Sequence, residues 1–367
     1  TLSGVSMKML NKMTLSAASG LLLGCSPLAQ AGSADSVVVL QYHHVSDSTP
    51  AVTSIDPETF REHLQYLQEH NFNVIDITDA RDAIEKGEEL PEKAVVITFD
   101  DGYQNVYENA VKVLEEFEMP YTVFVNPELM RKHSGHYMGW EELKEIQQNG
   151  ATIANHGQTH AHLIRKQEGE SDEEWQERMR YDVITAQEAI DENLGEQQKY
   201  FAYPYGEYNN ELRALLDEWG FLAFAQHSGP WSKWSEDTVI TRFPASGIYA
   251  NLNTLKAKLN SKAMPVSAYQ PEEPLVAHEN KRPTISVTLE AGDTLNDMRT
   301  DALQCFAGGS VLKPEWESDT QFRVTLEKDI NIGRSRVNCT APSASESRYY
   351  WYSVALIRPN ESGSWPD

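Results

Sequence analysis

The sequence predicts an α/β protein in which a distorted (β/α) barrel is followed by a small all-β sandwich domain. Two observations predict this architecture. Between residues 37 and 262, short apolar stretches alternate with segments of helical periodicity, and the apolar stretches repeatedly end in polar side chains. From residue 284 onward only strand-like stretches follow, without helical periodicity. The 367 residues are enough for one large domain and one small one.

Changes in composition along the chain divide it into four predicted parts. Residues 1–31 are predicted to be a signal peptide, and residues 32–265 the barrel domain. Residues 266–282 hold several prolines and polar residues, and we interpret them as a linker. Residues 283–367 are predicted to form the β-sandwich accessory domain.

The N-terminal segment has the pattern of an export signal. Lys8 and Lys12 precede a short apolar stretch, and the sequence Ala-Gln-Ala at residues 29–31 is typical of a signal peptidase site. This predicts a periplasmic or secreted protein. Residues 22–25 also resemble a lipoprotein box, so the alternative is an outer-membrane lipoprotein anchored through Cys25. No other stretch is long enough to span a bilayer.

Charge and cysteine content narrow the possible partners and the compartment. The net charge of −24 argues against nucleic acid and anionic membrane surfaces as partners. Cys25 would be cleaved off with the signal peptide or, in a lipoprotein, carry the lipid anchor. In both cases two cysteines remain that can pair, Cys305 and Cys339. In an oxidising compartment this pair is expected to form a disulfide; two buried free thiols are the alternative.

The first candidate site lies where the apolar stretch of residues 94–99 ends in Asp100, Asp101 and Gly102. Carboxylates at the end of a buried strand need a group that compensates their charge. In α/β folds the carboxyl ends of the strands are where ligands bind. The site is therefore either a metal or substrate site, or an aspartate that only caps the following helix.

A second candidate site is the pair His156 and His160. On a helical turn, residues four apart share a face, so both imidazoles could reach one cation. Alone, this spacing also fits a solvated helix face. With one carboxylate, the two histidines supply three ligands and leave a position open, which is the catalytic form of a zinc site. The same ligands suit non-haem iron, but strand ends of a barrel give no support to an oxygenase.

Three motifs together resemble the polysaccharide deacetylases, the NodB-homology group of carbohydrate esterase family 4. They are TFDDGY at residues 98–103, the Asn155–His160 segment, and FAYPYG at residues 201–206. The resemblance covers residues 37–262 and implies a barrel that removes acetyl groups from N-acetylated sugars with a divalent metal. By this match, the metal ligands are Asp101, His156 and His160. Asp100 would be the general base, and the backbone N–H of Tyr205 would stabilise the oxyanion.

The sequence departs from the family pattern at two places. Ala202 stands where most members have an arginine that orients the base, which puts base activation in doubt. No late leucine-x-histidine motif follows His227; instead, residues 40–43 (LQYH) resemble the permuted order of the poly-N-acetylglucosamine deacetylases. We therefore expect His43 to be the general acid, with His227 as the other candidate.

These observations predict an exported, metal-dependent deacetylase of N-acetylglucosamine polymers or oligomers. The expected cofactor is Zn²⁺, with Co²⁺ or Ni²⁺ as alternatives, and the expected partner is an acetylated glycan bound by a monomer. The alternative functions are an O-acetyl esterase on xylan, a peptidoglycan deacetylase, and a non-catalytic glycan-binding protein. Substrate contacts are predicted for four residues: Tyr103, Pro204, Gly206 and His227.

Overall fold

A curled parallel sheet forms the centre of the computed structural model, which describes residues 34–367. The predicted α/β barrel is confirmed as a half-barrel sheet of this kind. Each central strand is short, apolar and β-branched, as expected for strands covered on both faces. Along the sheet, the strands lie in the order Trp231–Ser232, Ser36–Tyr42, Ala94–Asp101, Thr122–Val125, Thr152–Asn155, Tyr200–Ala202 and Leu222–Phe224. All neighbouring pairs in this order are parallel except the pair formed by Trp231–Ser232.

Residues 240–244 connect the two edges of this curled sheet. Ile240 pairs in parallel with Phe224 at one edge. Three residues later, Phe243 pairs in parallel with Leu40 of the strand Ser36–Tyr42, near the other edge. The segment therefore bridges the gap between the two sheet edges, and Arg242 within it is fully buried.

Helices cover the outside of the sheet. Asp56 caps the first helix through its side chain, and Pro57 takes the first helical position. Ser171 and Glu174 form a capping box at the start of a later helix, which continues through a π-helical turn, Tyr181–Thr185. The helices are Pro57–Glu69, Ile77–Lys86, Gln104–Asn109, Val111–Glu116, Pro127–Lys132, Trp140–Gln148, Asp172–Arg180, Ala186–Leu194, Asn210–Glu218, Leu252–Leu259 and Asp293–Asp297.

The C-terminal region contains two further sheets, which are antiparallel apart from the pairing of Lys262–Ala263. One sheet has the order Lys262–Ala263, Tyr349–Arg358, Gly333–Pro342, Gln304–Ala307 and Ser310–Leu312. The other has the order Val266–Gln270, Ile285–Leu289, Gln321–Val324 and Glu315–Trp316. Apolar side chains from both sheets form one buried cluster, which includes Val287, Phe322 and Val337. Within this cluster Cys305 and Cys339 face each other on paired strands and form the predicted disulfide.

The predicted linker at residues 266–282 is wrong over its first part. Val266–Gln270 is an edge strand that pairs with Ile285–Leu289. Pro265 and Pro271 flank this strand and do not interrupt it, and an edge strand tolerates proline nearby because one side needs no ladder hydrogen bonds. The described residues form one compact unit.

The predicted signal peptide, its cleavage site at residues 29–31 and Cys25 lie outside the described residues. Within residues 34–367, none of the helices has the length and apolar character needed to cross a bilayer.

The disulfide generates a stability prediction. Its ends are separated by 34 residues, so it should stabilise the C-terminal sheets by about 3–4 kcal/mol on the chain-entropy model. Reduction, or the double substitution Cys305→Ala and Cys339→Ala, should lower the melting temperature of these sheets. Intact mass after alkylation without reductant should show both sulfurs protected; two alkylated thiols in periplasmically produced protein would contradict the prediction.

Candidate metal centre and substrate cleft

Asp101, His156 and His160 lie together at the mouth of the half-barrel. One ligand atom from each lies within 4.8 Å of the others. The Nε2 atoms of His156 and His160 are each 3.1 Å from Asp101 Oδ1. Asp101 and His156 are buried, whereas the His160 side chain is 20% exposed and faces the cleft.

The hydrogen bonds around His156 show why this group fits a cation. His156 Nδ1 lies 2.7 Å from the carbonyl oxygen of Ala202, which can only accept, so Nδ1 carries the proton. In the neutral ring, Nε2 then presents a lone pair towards the carboxylate oxygen of Asp101. Among the described residues, neither of these buried atoms has a well-aligned hydrogen-bond partner. Two facing electron-rich atoms are stabilised by a cation between them, and the donor set suits a divalent metal.

The two histidines sit on a loop and not on a helical turn as their spacing suggested. Gly157 has a φ of 83° and His160 a φ of 53°, so the backbone turns sharply between them. Asp182 holds the loop: its carboxylate accepts hydrogen bonds from the backbone N–H and the hydroxyl of Thr159, at 3.0 and 2.8 Å. Asp182 belongs to the π-helical turn, which explains how one irregular turn positions another.

Asp100, the neighbour of Asp101 in the strand, forms a buried ion pair with Arg242. The guanidinium Nη1 and Nη2 atoms donate to the two carboxylate oxygens at 2.7 and 2.9 Å, and both side chains are fully buried. Gln41 Nε2 donates to the same carboxylate at 2.8 Å. Burial alone would raise the pKa of Asp100, but the Arg242 guanidinium outweighs it and holds that pKa well below its usual range.

Arg242 is the functional residue that the sequence analysis missed. It supplies the arginine contact that the resemblance places at Ala202, but it comes from the segment that closes the sheet. Its Nε donates to the carbonyl oxygen of Ala225 at 2.8 Å, and Nη1 lies 3.2 Å from Thr98 Oγ1. The signal was present: Arg242 is a lone charge within the apolar stretch of residues 239–245, and a buried arginine requires a buried partner.

His43 and His227, the two candidates for the general acid, both line the cleft. His43 Nε2 lies 3.8 Å from Asp100 Oδ2, and burial lowers the pKa of this ring, against the opposing effect of the two aspartates. His227 stacks against Tyr208 at 6.0 Å, and burial lowers its pKa to about 3. Of the two, only His43 lies near the carboxylate of Asp100 in the described part of the chain.

The remaining predicted substrate residues are placed differently from one another. Tyr103, Tyr205 and Gly206 line a cleft of about 720 Å³ together with Asp101 and His160. Pro204 is buried and does not line this cleft.

The turn at residues 205–206 is tightly constrained. Tyr205 has a φ of 59°, and a side chain at Gly206 would approach Gln226 Cβ to 2.7 Å, so this turn requires glycine.

His44, Tyr42 and the aromatic strand at residues 349–352 have structural contacts. His44 stacks on Tyr103 at 3.5 Å, whereas Tyr42 lies in the core and hydrogen-bonds to His63 Nδ1. Trp351 packs against Phe243 at 5.2 Å, between the barrel and the C-terminal sheets.

Comparison with known proteins identifies this arrangement. The model of the polysaccharide deacetylase family matches residues 87–224. The chain is 25% identical over 230 residues to the poly-β-1,6-N-acetyl-D-glucosamine N-deacetylase of Escherichia coli (strain K12), covering 52% of this chain and 34% of that protein. It is 23% identical over 171 residues to the enzyme of the same name from Staphylococcus aureus (strain MSSA476), covering 46% of this chain and 59% of that one. The chain thus spans less than two thirds of these relatives' length.

Solved structures give the same result. IcaB from Ammonifex degensii is 26% identical, with a TM-score of 0.54 over 62% of this chain and 98% of IcaB. The Streptococcus pyogenes deacetylase PplD, at 19% identity, shares the fold with a TM-score of 0.55 over 61% of this chain and 98% of PplD. The chain therefore carries a domain, at residues 87–224, that matches the polysaccharide deacetylase family model, and it shares the fold of these deacetylases.

Proposed function

We propose that this protein is an exported, metal-dependent hydrolase that removes N-acetyl groups from an N-acetylglucosamine polymer or oligomer. The observation on which the proposal depends is that two adjacent carboxylates, those of Asp100 and Asp101, lie in different environments. Asp101 faces the imidazoles of His156 and His160, and the buried Nε2 of His156 lacks a hydrogen-bond partner among the described residues, while Asp100 beside it is kept ionised by Arg242. A glycan-binding protein would need no ionised carboxylate beside a metal site.

Asp101, His156 and His160 would hold the divalent cation, for which we propose Zn²⁺. When bound, the cation polarises the acetyl carbonyl and makes the attacking water more acidic. The neutral Nε2 of His156 is preset for this role because Nδ1 is engaged by the Ala202 carbonyl.

The other residues would handle protons and charge. Asp100 takes the proton of the attacking water, since its carboxylate stays ionised. His43, 3.8 Å from that carboxylate, delivers a proton to the departing amine. The Tyr205 backbone N–H would stabilise the negative charge that develops on the acetyl oxygen. Tyr103, Gly206 and His227 would contact the sugar, since they line the same cleft.

Export is part of the proposal. The predicted signal at residues 1–31 and the disulfide between Cys305 and Cys339 both favour an oxidising compartment outside the cytoplasm.

Acetate release tests the function. The purified protein is assayed on β-1,6- and β-1,4-linked N-acetylglucosamine oligomers, peptidoglycan and acetylxylan. Chelation should abolish turnover, and Zn²⁺ or Co²⁺ should restore it. Asp100→Asn should keep its metal and lose about 10²–10⁴-fold in kcat, because an amide cannot accept the proton. The matched neighbour Asp101→Asn should lose the metal.

Elemental analysis of each variant separates these roles. Full activity in a verified metal-free sample would exclude the proposed mechanism. Release from acetylxylan alone would identify an esterase, and binding without release a glycan-binding protein.

A double-mutant cycle tests the buried ion pair. Arg242→Gln leaves the Asp100 carboxylate buried and uncompensated, which should cost about 3–5 kcal/mol of stability. Adding Asp100→Asn should recover part of this loss, since the remaining charge is removed. Thermal or urea unfolding of the four proteins measures the coupling. Arg61→Gln breaks the exposed bidentate pair with Glu116 and should leave stability nearly unchanged. Additive losses would contradict the prediction.

The two histidines are separated by substitution and by pH. With metal content confirmed, His43→Gln should lose about 10²–10⁴-fold in kcat/KM. In His227→Gln, kcat/KM should still fall at alkaline pH as it does in the wild type. Because burial lowers the pKa of His227 from its ordinary value of 6.5 to about 3, folding opposes protonation of this ring. Stability that depends on neutral His227 is therefore complete above pH 6.5 and falls as the pH decreases towards 3.

The NMR signal of the His227 ring, assigned with His227→Gln, should accordingly not titrate between pH 7 and 5. Titration near 6.5, together with loss of the alkaline limb in His227→Gln, would make His227 the general acid.

A further inference from the structure

One wall of the cleft is built by the C-terminal sheet and not by the barrel. In the strand Gly333–Pro342, side chains alternate between two faces. Val337 and Cys339 point into the buried cluster between the two C-terminal sheets. Arg334 and Arg336 line the cleft, together with Asp101 and His160. The C-terminal sheet therefore contributes side chains to the same cavity as the candidate metal centre.

Packing against the barrel holds this wall in place. Arg334 and Arg336 pair across the sheet with Ile357 and Ala355. Ile357 belongs to a buried cluster that also includes the barrel residues Phe201 and Tyr203, and Ala355 packs against this cluster. The arginines are thus presented to the cleft by a sheet that is fixed relative to the barrel.

The two arginines differ in how their charge is neutralised. Arg334 Nη1 donates to Oε1 of the buried Glu207 at 2.6 Å, so its charge is paired. Arg336 has a different neighbourhood: its Nη2 donates to the Tyr249 hydroxyl at 3.0 Å, and its guanidinium lies 5.6 Å from the Tyr249 ring centre. Within residues 34–367, Arg336 has no carboxylate in ion-pairing distance.

A second unneutralised cation lies beside Arg336. Lys258 Nζ is 4.6 Å from the centre of the same Tyr249 ring, and in the described part of the chain it forms no ion pair. Burial, and then the positive charge of Arg336, lower the pKa of Lys258 to about 8. The positive charge of Arg336 disfavours the ionisation of Lys258, and a bound anion would remove this local cost.

This arrangement contrasts with the rest of the molecule. The chain has 55 acidic residues and 31 basic ones. Yet the described residues that line the cleft include one carboxylate, that of Asp101, which belongs to the candidate metal centre. The wall opposite that centre is therefore positively charged in an acidic protein, and a neutral glycan gives no reason for such a wall.

We propose that Arg336, supported by Lys258, binds an anionic oxygen group, a carboxylate or a phosphate, on a sugar adjoining the one that is deacetylated. This inference rests on the proposed function, which defines the sugar that is deacetylated and therefore which sugar adjoins it. A guanidinium offers two parallel donors to such a group, and hydrogen bonds between charged partners are the stronger kind. The C-terminal sheet would thus select the substrate, while the barrel carries the chemistry.

Three tetrasaccharides of equal length test the proposal. One contains only N-acetylglucosamine, one alternates it with glucuronate, and one carries a 6-phosphate on the neighbouring sugar. KM and kcat are measured for the wild type, Arg336→Gln, Lys258→Gln and the matched control Arg323→Gln, whose arginine lies on the other C-terminal sheet and pairs with Glu315. We expect KM for an anionic substrate to rise about 10- to 100-fold in Arg336→Gln. The neutral substrate and the Arg323→Gln control should show no change.

The anionic substrate that is preferred identifies the group as carboxylate or phosphate. Raised salt should weaken binding of the preferred anionic substrate and leave the neutral one unaffected. If Arg336→Gln does not fold by circular dichroism, Lys258→Gln carries the test, because it retains the Arg336 contact with Tyr249. The proposal would be overturned if the wild type had equal KM values for neutral and anionic substrates. It would also be overturned if neither Arg336→Gln nor Lys258→Gln changed the KM for the anionic substrates.

Calorimetric binding of the same oligosaccharides keeps the two proposals apart. If the metal-loaded wild type releases no acetate but binds the anionic oligosaccharide through Arg336, the proposed function fails and this inference stands. If acetate is released from the neutral oligomer at the same rate in wild type and Arg336→Gln, and anionic oligomers bind no better, the function stands and this inference fails.

Discussion

The structure depends on the buried ion pair between Asp100 and Arg242. A carboxylate at the end of an apolar strand is strongly unfavourable unless a cation compensates it. Arg242 does so with two parallel hydrogen bonds, and both side chains are fully buried. Because Arg242 belongs to the segment that joins the two edges of the sheet, the same five residues, 240–244, close the fold and neutralise its interior charge.

This pair also separates two adjacent aspartates into different environments. Asp100 and Asp101 follow each other in the chain, but their carboxylates form close contacts with different groups. Asp100 turns to Arg242, whereas Asp101, at a φ of 75°, turns to His156 and His160. The carboxylate of Asp100 thereby stays ionised without a metal. The carboxylate of Asp101 keeps an unpaired oxygen that a metal ion would bind. The proposed division between a base and a ligand follows from this local geometry.

The C-terminal sheets are integrated with the barrel and do not form a loosely attached module. Trp351 packs on Phe243, which is next to Arg242 in the chain. Arg334 is bound to Glu207, directly after the turn of residues 204–206 that borders the cleft. A change in the sheet that carries Arg334 and Trp351 would therefore alter the cleft, which is the physical basis for the proposal that this region selects the substrate.

Local sequence determined those features that depend on neighbouring residues. The central strands, the capped helices that begin after Asp56 and Ser171, and the two carboxylates at a strand end follow from short-range patterns. The disulfide is predicted from the number of cysteines, since only two remain after the signal is removed. Tertiary structure alone decided contacts between distant parts of the chain. Asp100 and Arg242 are 142 residues apart, and no local periodicity relates them. The loop geometry of His156 and His160 depends on Asp182, and the cationic wall depends on how the C-terminal sheet docks. Such contacts are selected by burial and charge compensation in the folded chain, which a linear pattern does not record.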